Sequence, residues 1–320
     1  MGELQEGCRR EVAILLQHWG VNKMTCKVTK LAAAGALLVC TTASAALAGS
    51  VTQPGETVGA PAGAPLTPGV YFINTADWGC RNTSPDSTCL GVDIPVIEWA
   101  TPWKILGGRL QFVVATPVVE VGVHHTNYLR GVYNPLFAGM LAWDLGNGFG
   151  VSYLVGAYAD VKTEVAWSSS SLNQRFALSY TGYGWDLTAN VIWGIQRDSV
   201  SVRPQLSPCP AQFVLNGCNP NFLNVDLTAT KKFGKWEFGP VAYYSTDLNS
   251  PVVGYQKQSQ TAVGALLGYN FGPVILQSYL TREVSERNYG GLDTRLWTRV
   301  IIPLVVEQPA PTRAARVRGS

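Results

Sequence analysis

Charge is what these 320 residues lack most. Asp, Glu, Lys and Arg make up 14%, against about a quarter in soluble globular domains. The 24 basic and 21 acidic side chains nearly cancel, at +3, so no basic surface marks a nucleic-acid binder. Past the first 48 residues no apolar run reaches the roughly 18 residues of a spanning helix. Histidine is also scarce, at 3. Beyond residue 48 there are only His124 and His125, and neighbours on a strand point to opposite sides, so the pair does not hold a metal. Gly150-Val151-Ser152 lacks the second Gly of a nucleophile elbow. Phosphate-binding glycine patterns and CxxC spacings are missing as well. No catalytic, metal or cofactor site is expected.

The N-terminus reads as an over-long leader. From Met24, the expected true start, Lys27 and Lys30 form a basic region, Leu31 to Cys40 an apolar one, and Ala46-Leu47-Ala48 a cleavage site. Cleavage is expected after Ala48. The layout is then a leader over 1–48, a Pro/Gly-rich segment over 49–68, a main body over 69–304 and a basic tail over 305–320 with Arg313, Arg316 and Arg318. Export leaves four cysteines, and an even set in an oxidising compartment reads as disulfides. Cys80–Cys89 and Cys209–Cys218 are the favoured of three possible pairings, each expected in an external loop.

What is present is alternation. In Trp185–Gln196, Trp185, Leu187, Ala189, Val191, Trp193 and Ile195 share one face; Asp186, Thr188, Asn190 and Gln196 share the other, with Ile192 the exception. Successive strand residues point to opposite faces, so such a segment is apolar on one side and polar on the other. Twelve segments of this kind run from Gly69 to Leu304, with 10 or 14 as alternative counts. Short Gly-containing connections alternate with long ones, among them 124–135 and 198–222. Brief periplasmic turns and long external loops are the pattern of an all-β, antiparallel transmembrane barrel; a soluble β-sandwich is the competing reading. Pro117 and Pro240 fall inside proposed strands, where each removes a ladder hydrogen bond.

The same register turns Asp144, Asp160, Arg175, Asp186, Asp226, Arg295, Trp297 and Arg299 toward the lumen. An Arg facing lipid at mid-depth would cost about 2–4 kcal/mol, so the register is physically constrained. These charges are expected to pair across the lumen or to line a solute path. Trp185, Trp193 and Trp236 fall on the outer face. Twelve strands lie between side-chain-filled and open barrels, which predicts a narrow passage partly occluded by inward side chains or loops.

The run Asn219–Gly234, the run Asn288–Arg295, Trp103–Gly108 and two Phe-Gly-Pro-Val copies at Phe238 and Phe271 resemble the outer-membrane family named for the MetA-pathway of phenol degradation. The resemblance implies a Gram-negative outer-membrane barrel linked by name to uptake of apolar or aromatic compounds, and defines no substrate residues. Such barrels usually end on an aromatic residue recognised in assembly; here a tail follows Leu304. The expected function is a passive channel for small hydrophobic or aromatic solutes, without cofactor. The expected partners are outer-membrane lipid, that solute and the barrel assembly machinery. The alternatives are a barrel whose loops bind a partner, and a lipid-acting barrel enzyme using His124 or His125.

Overall fold

The computed structural model describes residues 50–84, 87–123, 128–161, 163, 165–166, 170–196, 220–251 and 255–306, all within one compact unit, Ser44–Ser320. Its strand segments are β1 (Gly69–Arg81), β2 (Thr88–Ile105), β3 (Gly108–Ala115), β4 (Val118–Val123), β5 (Tyr128–Val132), β6 (Leu136–Gly146) and β7 (Phe149–Tyr158). They continue with β8 (Ser171–Tyr180), β9 (Trp185–Gln196), β10 (Phe222–Phe233), β11 (Trp236–Asp247), β12 (Ser259–Asn270), β13 (Ile275–Arg287) and β14 (Asp293–Val306). Every pairing is antiparallel, and β1 joins β14 on one side and β2 on the other, which closes the sheet.

Fourteen segments make twelve staves. β3 pairs with the Val96–Ile105 part of β2 and β4 with Thr88–Asp93. In the next stave β6 pairs with β3 and β5 with β4. The first break falls at Pro117, which has no N–H to give. Three backbone bonds carry the ladder past the two breaks: Thr116 N–H to Pro95 O at 3.1 Å, Tyr133 N–H to Pro117 O at 2.7 Å and Ala159 N–H to Pro135 O at 2.9 Å. Pro240 stays inside β11, but its registered partner is Ala265 of β12, and the β10–β11 register skips it. The barrel is the twelve-stave form expected from alternation.

Several expectations are corrected. The segment read as a loop over 124–135 contains β5, whose five residues are too few to show a period. Cys80 and Cys89 are not in a loop: β1 runs on to Arg81, β2 starts at Thr88, and the two cysteines are directly opposed in the ladder and disulfide-bonded. The two Phe-Gly-Pro-Val copies are not equivalent, since one lies within β11 and the other spans the turn before β13. Cys209, Cys218, His124, His125, the leader and 307–320 lie outside the described residues.

One end carries the tight turns. Leu106–Gly107, Asn147–Gly148 and Tyr183–Gly184 have positive φ at both positions, the conformation whose twist matches a two-residue hairpin. Exposed rings gather beside these turns, including Trp99, Trp103, Phe149, Trp185, Phe233 and Trp236, at 39–54% exposure. Trp99–Trp103, Phe149–Tyr180 and Trp236–Tyr269 make ring contacts there, at 5.5, 4.7 and 4.6 Å between centroids. This is an interfacial aromatic belt. By the turn-and-loop rule the belt end is periplasmic and the opposite end external.

Candidate functional site: a plugged lumen

The Pro/Gly-rich segment before β1 lies inside the barrel. Ser50 and Thr52 meet Asn224 at the loop-end half of β10: Asn224 Nδ2 donates to Ser50 Oγ at 2.9 Å and to Thr52 O at 3.1 Å. Gly63 reaches the turn end, where its N–H donates to Ser179 Oγ at 2.8 Å and Ser152 Oγ donates to Ala62 O at 2.7 Å. Between these points the segment is a chain of turns, with bonds such as Glu56 N–H to Gln53 O at 3.1 Å and Val58 N–H to Gly55 O at 3.2 Å. Gly55 and Gly59 supply the left-handed backbone, φ 92° and 80°, that lets the turns reverse inside the lumen. A turn chain leaves many backbone groups unpaired, and buried ones need partners. The wall supplies them.

Charged and uncharged wall residues share this work, and a further charge holds a plug side chain. Asp226 accepts from Gly55 N–H at 2.9 Å, Thr57 N–H at 3.0 Å and Thr57 Oγ1 at 2.6 Å. Arg175 pairs with Glu56 at 2.7 Å. Arg299 is 2% exposed; its Nη atoms donate to Glu56 O and Val58 O, and its Nε to Thr75 Oγ1 at 2.9 Å. Tyr279 Oη donates to Gly55 O at 3.0 Å, and Gln277 Nε2 to Gly59 O at 2.8 Å. Trp297 is fully buried and stacks on Tyr279, 5.1 Å between centroids, as the apolar floor under Val58.

The other expected lumen residues divide. Arg295 binds Asp77 and, at 2.6 Å, Asp293, joining β1 to β14 beside the plug. Asp186 is buried and accepts from Thr188 Oγ1 at 2.6 Å. Asp144 stands exposed at the turn end and accepts from Gly146 N–H at 2.9 Å. Asp160 is exposed past β7, which ends at Tyr158 rather than Val161. Among these inward charges Asp226, Arg175 and Arg299 bind the plug, Arg295 a neighbouring strand, and Asp186 its own strand. Arg81, absent from the expected set, pairs with Glu283 at 2.6 Å and lies 4.3 Å over the ring of Tyr289. In that external loop, burial pushes the Tyr289 hydroxyl above the usual phenol range.

The plug does not fill the barrel. Its polar contacts go mainly to β7–β10, β13 and β14, where inward residues are polar. The facing wall is apolar: Ile73, Ile94, Val96, Val113, Met140 and Leu154 line a cavity of about 400 Å³ between plug and wall. Toward the external end Val51 of the plug packs in an apolar core with Val119, Val121, Ile192 and Phe222. Toward the turns, Lys232, Lys235 and Trp236 border the cavity. Among the described residues no cluster of His, Cys, Asp and Glu could hold a metal.

The profile of the family "Putative MetA-pathway of phenol degradation" matches residues 75–300. The chain belongs to this family. Among solved structures, the chain of the COG4313 outer membrane channel from Pseudomonas putida F1 has the same fold, at 13% identity, TM-score 0.58, over 78% of this chain and 99% of that one. The β domain of the Bordetella autotransporter BrkA aligns at 12% identity and TM-score 0.43, over 73% of this chain and 99% of that one. No curated protein matches. Family membership and the closed twelve-stave barrel place this phenol-degradation family member in the Gram-negative outer membrane.

Proposed function

We propose that this protein is a passive outer-membrane channel for small hydrophobic or aromatic molecules, with no enzymatic step. The apolar half-lumen carries the reading. Barrel interiors of aqueous porins are polar, whereas here one wall of a space of about 400 Å³ is mainly aliphatic, and the space is within the size range of small-ligand sites. A plug bonded to the polar half leaves the apolar half to the solute. Burial against such a wall is worth about 25 cal/mol per Å² of apolar surface, so an apolar ring gains what a sugar does not. The membership in a family named for phenol degradation supports the same class.

Vesicles with a lipopolysaccharide outer leaflet provide the test, because plain phospholipid passes apolar solutes unaided. The folded protein is expected to speed entry of a small aromatic alcohol well above that of a pentose. Replacing Leu154 by Asn should abolish the difference while the unboiled gel shift persists. Equal rates for both solutes would overturn the reading.

A further inference from the structure

We propose that the lumen cavity prefers amines with an apolar body, and that Glu98 receives their ammonium group; this rests on the reading of the lumen as a path for apolar molecules. Glu98 faces inward in the register of Val96 and Ala100, from a wall of mainly aliphatic side chains, and lines the cavity. It is missing from all four ion pairs among the described residues, whose carboxylates are Glu283, Glu56, Asp77 and Asp293. Arg175 borders the same cavity, but its guanidinium is held by Glu56 at 2.7 Å. Tyr71 is directly opposite Glu98 in the β1–β2 ladder, and its hydroxyl is committed to Thr67 O at 2.9 Å. Among the described residues the carboxylate thus faces the cavity without a hydrogen-bond donor.

An ionised carboxylate only accepts hydrogen bonds. A ligand that completes this site brings N–H donors and a positive charge at one end and apolar surface elsewhere. An anion meets repulsion at Glu98, and a neutral hydrocarbon leaves the carboxylate unpaired. The Tyr71 side chain, which also lines the cavity, adds a ring of the kind that attracts ammonium groups. Lys232 and Lys235 are exposed at the turn-end mouth, where solvent and salt screen them.

Titrating the full-length folded protein in nanodiscs with 4-phenylbutylamine, 4-phenylbutanol and 4-phenylbutyrate separates the possibilities. The amine is expected to bind about tenfold tighter than the alcohol, because its ammonium adds a positive charge to the hydrogen bond that either ligand can donate, and the carboxylate weakest. Glu98→Gln keeps the shape and is expected to remove the amine's advantage with the alcohol unchanged. Equal binding of amine and alcohol to the unaltered protein, or an advantage that survives Glu98→Gln, overturns the proposal alone. Binding of none of the three overturns it together with the proposed function.

Discussion

Arg299 is the residue on which the plug depends most. Its planar fork presents several donors in fixed directions, and here they satisfy two plug carbonyls and Thr75 at once. Replacing it with Ala leaves the Glu56 and Val58 carbonyls unpaired, a loosening of about 2–6 kcal/mol at 1–3 per buried orphan. The strands keep their ladders, so Arg299→Ala is expected to retain the unboiled gel shift and to raise single-channel conductance. Unchanged conductance would show that the plug stays seated without it. Gly63 makes the complementary case through space rather than bonds. A Cβ there would lie 2.6 Å from Ser179 N and 2.7 Å from Gly150 O, both backbone atoms that cannot swing aside. Gly63→Val should therefore unseat the turn-end part of the plug, read as faster proteolysis of residues 50–68 in the folded barrel.

The strands answer to lipid on one face and to the plug on the other. Leu280 on β13 is opposite Ala265 of β12 and Leu296 of β14, and both leucines are more than half exposed on the outer surface. Leu280→Arg is expected to cost about 2–4 kcal/mol if this row lies near the bilayer midplane, measured by equilibrium unfolding in lipid. Such strands were legible in the sequence because one face must be apolar: β9 follows the alternation residue by residue, and even its exception, Ile192, has a cause in the core around Phe222. β11 alternates less well in sequence because its inward Val241 and Tyr243 are apolar too, packed in the core around Val58, yet it pairs on both sides. The plug was not legible. It binds the wall mostly through its own backbone groups, which leave no periodic trace in side-chain chemistry, and Pro and Gly in that number read as a linker. Asp226 and Arg299 were identified as inward-facing from alternation, while what they bind was not. Glu98 is masked in the sequence by Ile97 and Trp99 on either side, although the alternation that turns those two outward turns it inward.

The whole molecule is a barrel with two unlike inner faces and a strap tied to one of them. That division assigns work to each part: polar strands hold residues 50–64, and aliphatic strands face the remaining space. Val51 of the strap packs into the core around Phe222 at the external end, and solute is expected to cross the full height of the barrel when the strap shifts. A tether tests this without altering the apolar wall's aliphatic side chains. Ser152 and Ala62 already meet through a hydrogen bond of 2.7 Å, and disulfides form where Cα atoms lie about 4.4–6.8 Å apart. Ala62→Cys with Ser152→Cys should cross-link under oxidation and pin the turn-end half of the strap to β7. Entry of the aromatic alcohol is expected to fall on oxidation and recover with a reductant. The single Ala62→Cys protein should respond to neither treatment. Transport that continues through the oxidised tether would mean that this half of the strap stays in place while solute passes, and would leave the motion to residues 50–58, where Asp226 and Arg299 hold it.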